Sequence, residues 1–187
     1  NKITFLKTHH ALCKIGNDTF TNFDNTAGVI HIVRDPRNVI TSIKYHYSKK
    51  NYKEAKEFLL DEGRAIGILD NNIIKENQVI TFIGSWGTNY TSWKKFKKNY
   101  LIVKYEDLIH DPKAEFKRIA LFLKNTFNIN LNEEKIEKSI KSNSFDNLKK
   151  QEEMKGFAES VKDKAQNLNY LEGKIIAIDK STKKFEI

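Results

Sequence analysis

Three clusters of polar residues stand directly after short apolar runs, and their types and spacing suit chemistry on an anion. Lys7 and His9 lie two residues apart after the run at residues 3–6. In an extended chain such a pair shares one face, so an ammonium and an imidazole point the same way. One group can then remove a proton while the other stabilises developing negative charge. A satisfied histidine at a strand end is the plainer alternative, and His10, on the opposite face, is expected to be structural. Arg34 follows the apolar run at residues 29–33 and precedes Asp35-Pro36, a capping carboxylate and a proline that together open a helix. A helix N-terminus with free N–H groups is a ready anion site, and the guanidinium fork of Arg34 suits phosphate. Ser42, two turns on, adds a hydroxyl. Arg34 could instead pair with Asp35 or Glu106, and Arg37 is expected to be a solvent-exposed residue at the helix start. The third cluster is Lys104-Tyr105-Glu106-Asp107, after the run at residues 101–103.

These clusters need strands and helices to bring them together. The runs at 3–6, 29–33 and 101–103 lack clean polar alternation, as expected of parallel strands covered on both faces. Between them the pattern is helical. Val39, Ile40, Ile43 and Tyr47 repeat near 3.6 residues behind Pro36. Trp86, Tyr90 and Trp93 do so within residues 85–97, and Phe116, Ile119, Ala120, Leu123 and Phe127 do so behind Asp111-Pro112. Asn132 can cap a shorter helix carrying Ile136 and Ile140. Beyond residue 149 the periodicity fades; residues 151–169 read as a loop or lid, and residues 174–178 as a short strand. Strands alternating with helices indicate an α/β fold with a mainly parallel sheet, and ligands of such sheets sit beyond the carboxyl ends of the strands.

Composition narrows the classes further. The chain has 187 residues and a formal net charge of +9, from 33 Lys plus Arg against 24 Asp plus Glu. That length fits one domain, here residues 1–187. Cys13 is the single cysteine, so neither an intrachain disulfide nor a cysteine-rich metal site can form. His9 and His10 are adjacent with no H-E-x-x-H or carboxylate cluster, and no metal is expected. No run of about 18 apolar residues is present, so no transmembrane segment is expected. No secretory-signal pattern is visible either, which favours a cytoplasmic protein. The positive charge reads as a lysine-rich solvated surface or as a field for an anionic ligand. Lys94, Lys95, Lys97 and Lys98 beside Trp93, Phe96 and Tyr100 also admit a nucleic-acid-binding module, although the plainer reading is a helix with a solvated basic face. Neither a G-x-x-x-x-G-K-[ST] loop nor G-x-G-x-x-G occurs; Gly84 and Gly87 flank Ser85-Trp86, which is no phosphate cradle.

Four segments, in order, resemble the sulfotransferases that use 3′-phosphoadenosine 5′-phosphosulfate (PAPS): FLKTHH, VIHIVRDPRNVITSIKYHY, LIVKYEDLIHDPKAEFKRIALFL and SIKSNSFDNLKK. The resemblance covers residues 4–150 and implies a P-loop-NTPase-like three-layer fold with a central, mainly parallel sheet flanked by helices. It implies transfer of a sulfuryl group from PAPS to a hydroxyl or amine, leaving adenosine 3′,5′-bisphosphate, with no metal and no nucleic-acid partner. His9 would be the general base, and Lys7 would stabilise charge on the transferring group and the leaving phosphate. Arg34 and Ser42 would bind the nucleotide 3′-phosphate, and Tyr105 the adenine edge. Ser144 and Phe145 would line the adenine pocket beside Asn143, which stands where many members have threonine. Trp86 and Trp93 lie in a G-S-W helix that members share and are read mainly as packing, with a role on the acceptor side as the alternative. The family's N-terminal phosphosulfate loop and its C-terminal Arg-Lys-Gly segment have no counterpart here. With Asn1 first and Met154 the sole methionine, a piece of a longer enzyme, weakly active or inactive by itself, is expected. A phosphoryl-transfer enzyme of the same architecture is the alternative, which a metal requirement would separate.

Overall fold

The computed structural model describes residues 3–66, 69–70, 73–74 and 80–155. The described chain begins without regular secondary structure and then forms a small antiparallel hairpin, β1 (Lys14–Ile15) with β2 (Asp18–Thr19). Next comes the unit that organises the molecule: β3 (Val29–Val33), then helices α1 (Pro36–His46) and α2 (Tyr52–Leu60). Short strands follow, β4 (Ala65–Ile66), β5 (Leu69–Asp70), β6 (Ile73–Ile74) and β7 (Thr81–Phe82), paired antiparallel as β4 with β7 and β5 with β6. Helix α3 (Trp86–Lys94) leads to β8 (Tyr100–Lys104), and α4 (Tyr105–His110), α5 (Pro112–Phe127), α6 (Glu133–Ser142) and α7 (Phe145–Lys155) complete the described chain.

The fold is α/β. β3 and β8 run parallel, in register from Val29 opposite Tyr100 to Val33 opposite Lys104, and each continues directly toward a helix. The pair starts where Val29 N–H donates to the Asn99 carbonyl at 2.8 Å. Glycine is required next to that point: a Cβ on Gly28 would sit 2.9 Å from Phe127 Cζ and 3.0 Å from the Asn99 carbonyl oxygen. Strand β8 is tied to α5 by Arg118, whose Nη2 donates to the Ile102 carbonyl at 2.7 Å.

The helices start where the capping residues place them. Asp35, Asn51, Ser85, Asp111 and Asn132 each accept a first-turn N–H through the side chain, satisfying one of the donors a helix start leaves open. Helix α5 stops at Asn128, in the left-handed region at φ 57°, a conformation asparagine tolerates well. Ile43 of α1 packs with Ala55 and Leu59 of α2 in a buried cluster that Val39, Ile40, Tyr47, Phe58 and Trp86 flank. Burial of such side chains stabilises by about 1.5–3 kcal/mol for each large one, so this cluster fixes α1 against α2 and carries α3 with it.

Three expectations are corrected. Residues 3–6 form no strand, and Ile3, Phe5 and Leu6 are 42%, 64% and 87% exposed. A strand persists only where a neighbour takes its N–H and C=O groups, and among the described residues none does so for this run. Second, β3 is not covered on both faces among the described residues, since Ile32 is 59% exposed. Third, residues 151–155 continue α7 as helix; the remainder of the expected loop at 151–169, and the strand expected at 174–178, lie outside the described residues.

Candidate functional site

The in-register parallel pair explains how distant residues become neighbours. Because Val33 lies opposite Lys104, the next residues, Arg34 and Tyr105, leave the sheet together at its carboxyl edge. The Arg34 guanidinium carbon lies 4.7 Å from the Tyr105 ring centroid, a cation–π contact. Its Nη1 donates to Ser42 Oγ at 3.0 Å. Its Nε is buried with no hydrogen-bond partner. An unsatisfied buried donor of this kind is costly and calls for an explanation.

The two acids expected to compete for Arg34 are engaged elsewhere. Asp35 caps α1 by accepting the Arg37 N–H at 2.8 Å and forms an ion pair with the Arg37 guanidinium. Its carboxyl is held down at about 2, chiefly by the Arg37 side chain. Arg37 is therefore an exposed residue with a partner. Glu106 accepts the Asp35 N–H at 2.9 Å, and that bond holds its carboxyl below the usual range. Among the described residues no carboxylate pairs with Arg34, so its positive charge stands at the strand end without an acidic partner.

The segment with Lys7 and His9 is built differently. Both residues are exposed, and the anchoring is done by the residues just after them. His10 is buried, stacks on Phe20 with centroids 4.4 Å apart, and accepts the Phe82 N–H at Nδ1. Ala11 N–H donates to the Phe82 carbonyl at 2.8 Å, and Leu12 N–H to Ser92 Oγ at 2.9 Å. Trp93 Nε1 donates to the His10 carbonyl at 2.8 Å, and Asn89 Nδ2 to the His9 carbonyl at 3.2 Å. The expected division of labour within the His9-His10 pair thus holds for His10, a structural residue.

Helix α3 also reaches the other cluster. Trp86 Nε1 donates to the Arg34 carbonyl at 3.1 Å, while its ring stacks on Tyr90. Reading Trp86 and Trp93 as packing captured their bulk and missed their N–H groups, which hold main-chain carbonyls in both clusters. Asn89 and Ser92 were missed altogether. The signal was the spacing: Trp86, Asn89 and Trp93 are i, i+3 and i+7, one face of a helix.

Asn143, Ser144 and Phe145 stand apart from this group. Asn143 ends α6, with Nδ2 donating to the Ser139 carbonyl at 2.9 Å. Ser144 precedes α7, and its carbonyl accepts the Leu148 N–H at 2.9 Å. Phe145 opens α7 and is 71% exposed. Among the described residues no hydrogen bond or ring contact joins these three to Arg34, Ser42 or Tyr105. Two of the three aromatic residues of the basic stretch, Trp93 and Phe96, are also buried away from stacking on a base, at 7% and 2% exposure. No group of three or more metal-ligating side chains occurs among the described residues, and no described helix is long and apolar enough to cross a membrane.

A sulfotransferase-domain profile matches residues 1–172. The chain belongs to the sulfotransferase family. It is 31% identical over 132 residues to a 3-beta-hydroxysteroid sulfotransferase of Cavia porcellus, covering 70% of this chain and 41% of that protein. To sulfotransferase 2A6 of Mus musculus it is 27% identical over 146 residues, covering 77% of this chain and 46% of that one. The match thus takes in less than half the length of these relatives. A crystal structure of mouse sulfotransferase SULT7A1 complexed with PAP matches with 25% identity and a TM-score of 0.48, over 65% of this chain and 40% of that one.

The histidines of this sulfotransferase-family chain give it a pH-dependent stability. Burial lowers the pKa of His10 and of His31, whose Nδ1 lies 2.7 Å from Tyr100 Oη. The unfolded chain therefore binds more protons than the folded one as pH falls below the ordinary value of 6.5. Their stabilisation is fully present above that value and is lost as pH falls through the depressed folded values. The unfolding midpoint is expected to drop over the interval below about pH 6.5. Asn in place of His10 keeps an acceptor for the Phe82 N–H without a titrating ring, so His10→Asn should reduce that drop. Calorimetric scans across the interval check it, and an undiminished drop in the variant would assign the loss to other groups.

Proposed function

We propose that the protein transfers a sulfuryl group from PAPS to an acceptor hydroxyl or amine, releasing adenosine 3′,5′-bisphosphate. Family membership supports sulfuryl transfer as the reaction class. The observation that carries the nucleotide is the Arg34 cluster, a guanidinium braced by Ser42 and Tyr105 with no carboxylate partner among the described residues. A terminal phosphate supplies several acceptor oxygens and a dianionic charge, which fits this fork.

In this reading Arg34 and Ser42 bind the 3′-phosphate, and Tyr105 takes the adenine edge. Ser144 and Phe145 line the adenine pocket with Asn143 beside them. His9 accepts the proton of the acceptor hydroxyl or amine as that atom attacks sulfur. Lys7 stabilises charge on the sulfuryl group and on the departing phosphate as the bond between them breaks. Most of the rate gain comes from positioning and fixed charge; no step requires a metal.

The test is thermal. Adenosine 3′,5′-bisphosphate, added to the complete protein in chelator-treated buffer, should raise the unfolding midpoint. At a hundred times Kd the stabilisation is about 2.7 kcal/mol. For a chain of this size that is a shift of several degrees. No shift, or one that appears only with added magnesium, would count against sulfuryl transfer and toward a metal-assisted phosphoryl reaction.

A further inference from the structure

We propose that Asn89 is a positioning residue for His9, clamping its main chain so that α3 sets the distance between the proton-accepting imidazole and the Arg34 anion clamp. The inference rests on the reading of His9 as the base.

Asn89 Nδ2 donates to the His9 carbonyl at 3.2 Å and to the Ile83 carbonyl at 3.0 Å. Two carbonyl oxygens can be met only by the NH2 end of an amide, so both amide hydrogens are committed. The Ile83 end is a fixed reference, because Ile83 N–H donates to the Arg64 carbonyl at 2.9 Å. The His9 end adjoins the buried segment that begins at His10. The neighbouring bonds from Trp93 and Ser92 hold residues 10 and 12, not residue 9. One turn back on α3, Trp86 holds the Arg34 carbonyl. Asn89 and Trp86 are three apart, about 5–6 Å between Cβ atoms on one helix face. A single rigid element thus grips the carbonyl of the base and the carbonyl of the anion clamp. Reactions that depend on alignment are sensitive to displacements of about 1 Å, so a loosened His9 should lose turnover before the nucleotide loses affinity.

Asp is nearly isosteric with Asn yet only accepts hydrogen bonds when ionised. Facing two carbonyl oxygens, Asn89→Asp is therefore expected to be worse than Asn89→Ala. The experiment uses the complete protein, PAPS as donor and p-nitrophenol as test acceptor. Amide hydrogen exchange at Ala11 and Leu12 supplies a readout that needs no turnover. The expected result is a kcat lowered on the order of tenfold to a hundredfold, with the Kd for adenosine 3′,5′-bisphosphate within about twofold of the starting protein. Exchange at Ala11 and Leu12 should speed up in the order wild type, Ala variant, Asp variant. An active wild type with an equally active Asn89→Asp variant would overturn this inference alone. A parallel loss of kcat, nucleotide affinity and unfolding midpoint would also overturn it, because that is general destabilisation. A wild type that binds the nucleotide but does not use p-nitrophenol leaves exchange to decide, and unchanged rates at Ala11 and Leu12 would then sink it. A wild type that neither binds nor transfers would defeat the proposed function first and the catalytic meaning of Asn89 with it.

Discussion

Replacing Arg34 by alanine is expected to weaken binding of adenosine 3′,5′-bisphosphate by about 2–3 kcal/mol, roughly 30- to 150-fold, as hydrogen bonds to charged groups are lost. Parallel register puts Arg34 beside Tyr105, and helix α1 turns Ser42 back to meet its Nη1. Arg37 occupies Asp35, and the Asp35 N–H occupies Glu106, so neither acid quenches the guanidinium. Removal of the side chain therefore removes charge and fork together. Arg34→Lys separates the two, because lysine keeps the charge and loses the planar fork; most of the loss should remain. Titration calorimetry of the wild type and both variants checks this. Affinity unchanged in Arg34→Ala would take the 3′-phosphate away from this residue, whatever the fate of the sulfuryl reaction.

His9→Ala should abolish turnover, with a loss in the range of about 10²–10⁴-fold typical of removing a general base, while nucleotide affinity stays close to the wild-type value. Two features of the structure make this a clean substitution. The His9 side chain is exposed, so little packing is lost. The tether at this residue runs through its carbonyl to Asn89 and survives any side-chain change. Single-turnover transfer from PAPS, paired with nucleotide titration, separates chemistry from binding. Turnover close to wild type would remove the base role from His9. A large loss of nucleotide binding would instead mean that the residue contributes to the donor site.

Much of the scaffold was legible before the fold was seen, because its signals are local. Asp35-Pro36, Ser85, Asp111-Pro112 and Asn132 mark helix starts through bonds made within a turn, and each is the cap or first residue of a helix. The parallel strands 29–33 and 101–103 were legible as apolar runs followed by polar ends. The run at 3–6 carried the same signal yet forms no strand and is exposed, since a strand exists through a partner that its own residues do not specify. The residues proposed to bind the nucleotide divided in the same way. Arg34 and Ser42 meet because one helix joins them, eight residues apart. Asn143, Ser144 and Phe145 sit on a different helix junction, and nothing local links them to that cluster.

The sequence by itself determined the residue chemistry, the starts of four helices and the family. Types, capping pairs and short spacings encode these directly. Tertiary structure alone decided which of the candidate groups act on one another. It placed Tyr105 under Arg34, kept both neighbouring acids away from it, and left Nε buried without a partner. It also turned α3 from an aromatic packing helix into the element that holds the His9 and Arg34 carbonyls. The physical reason is one of range. A cap or a periodic stripe is settled within a few residues, whereas a hydrogen bond across 52 or 80 residues forms only once the sheet register and the helix packing have been set.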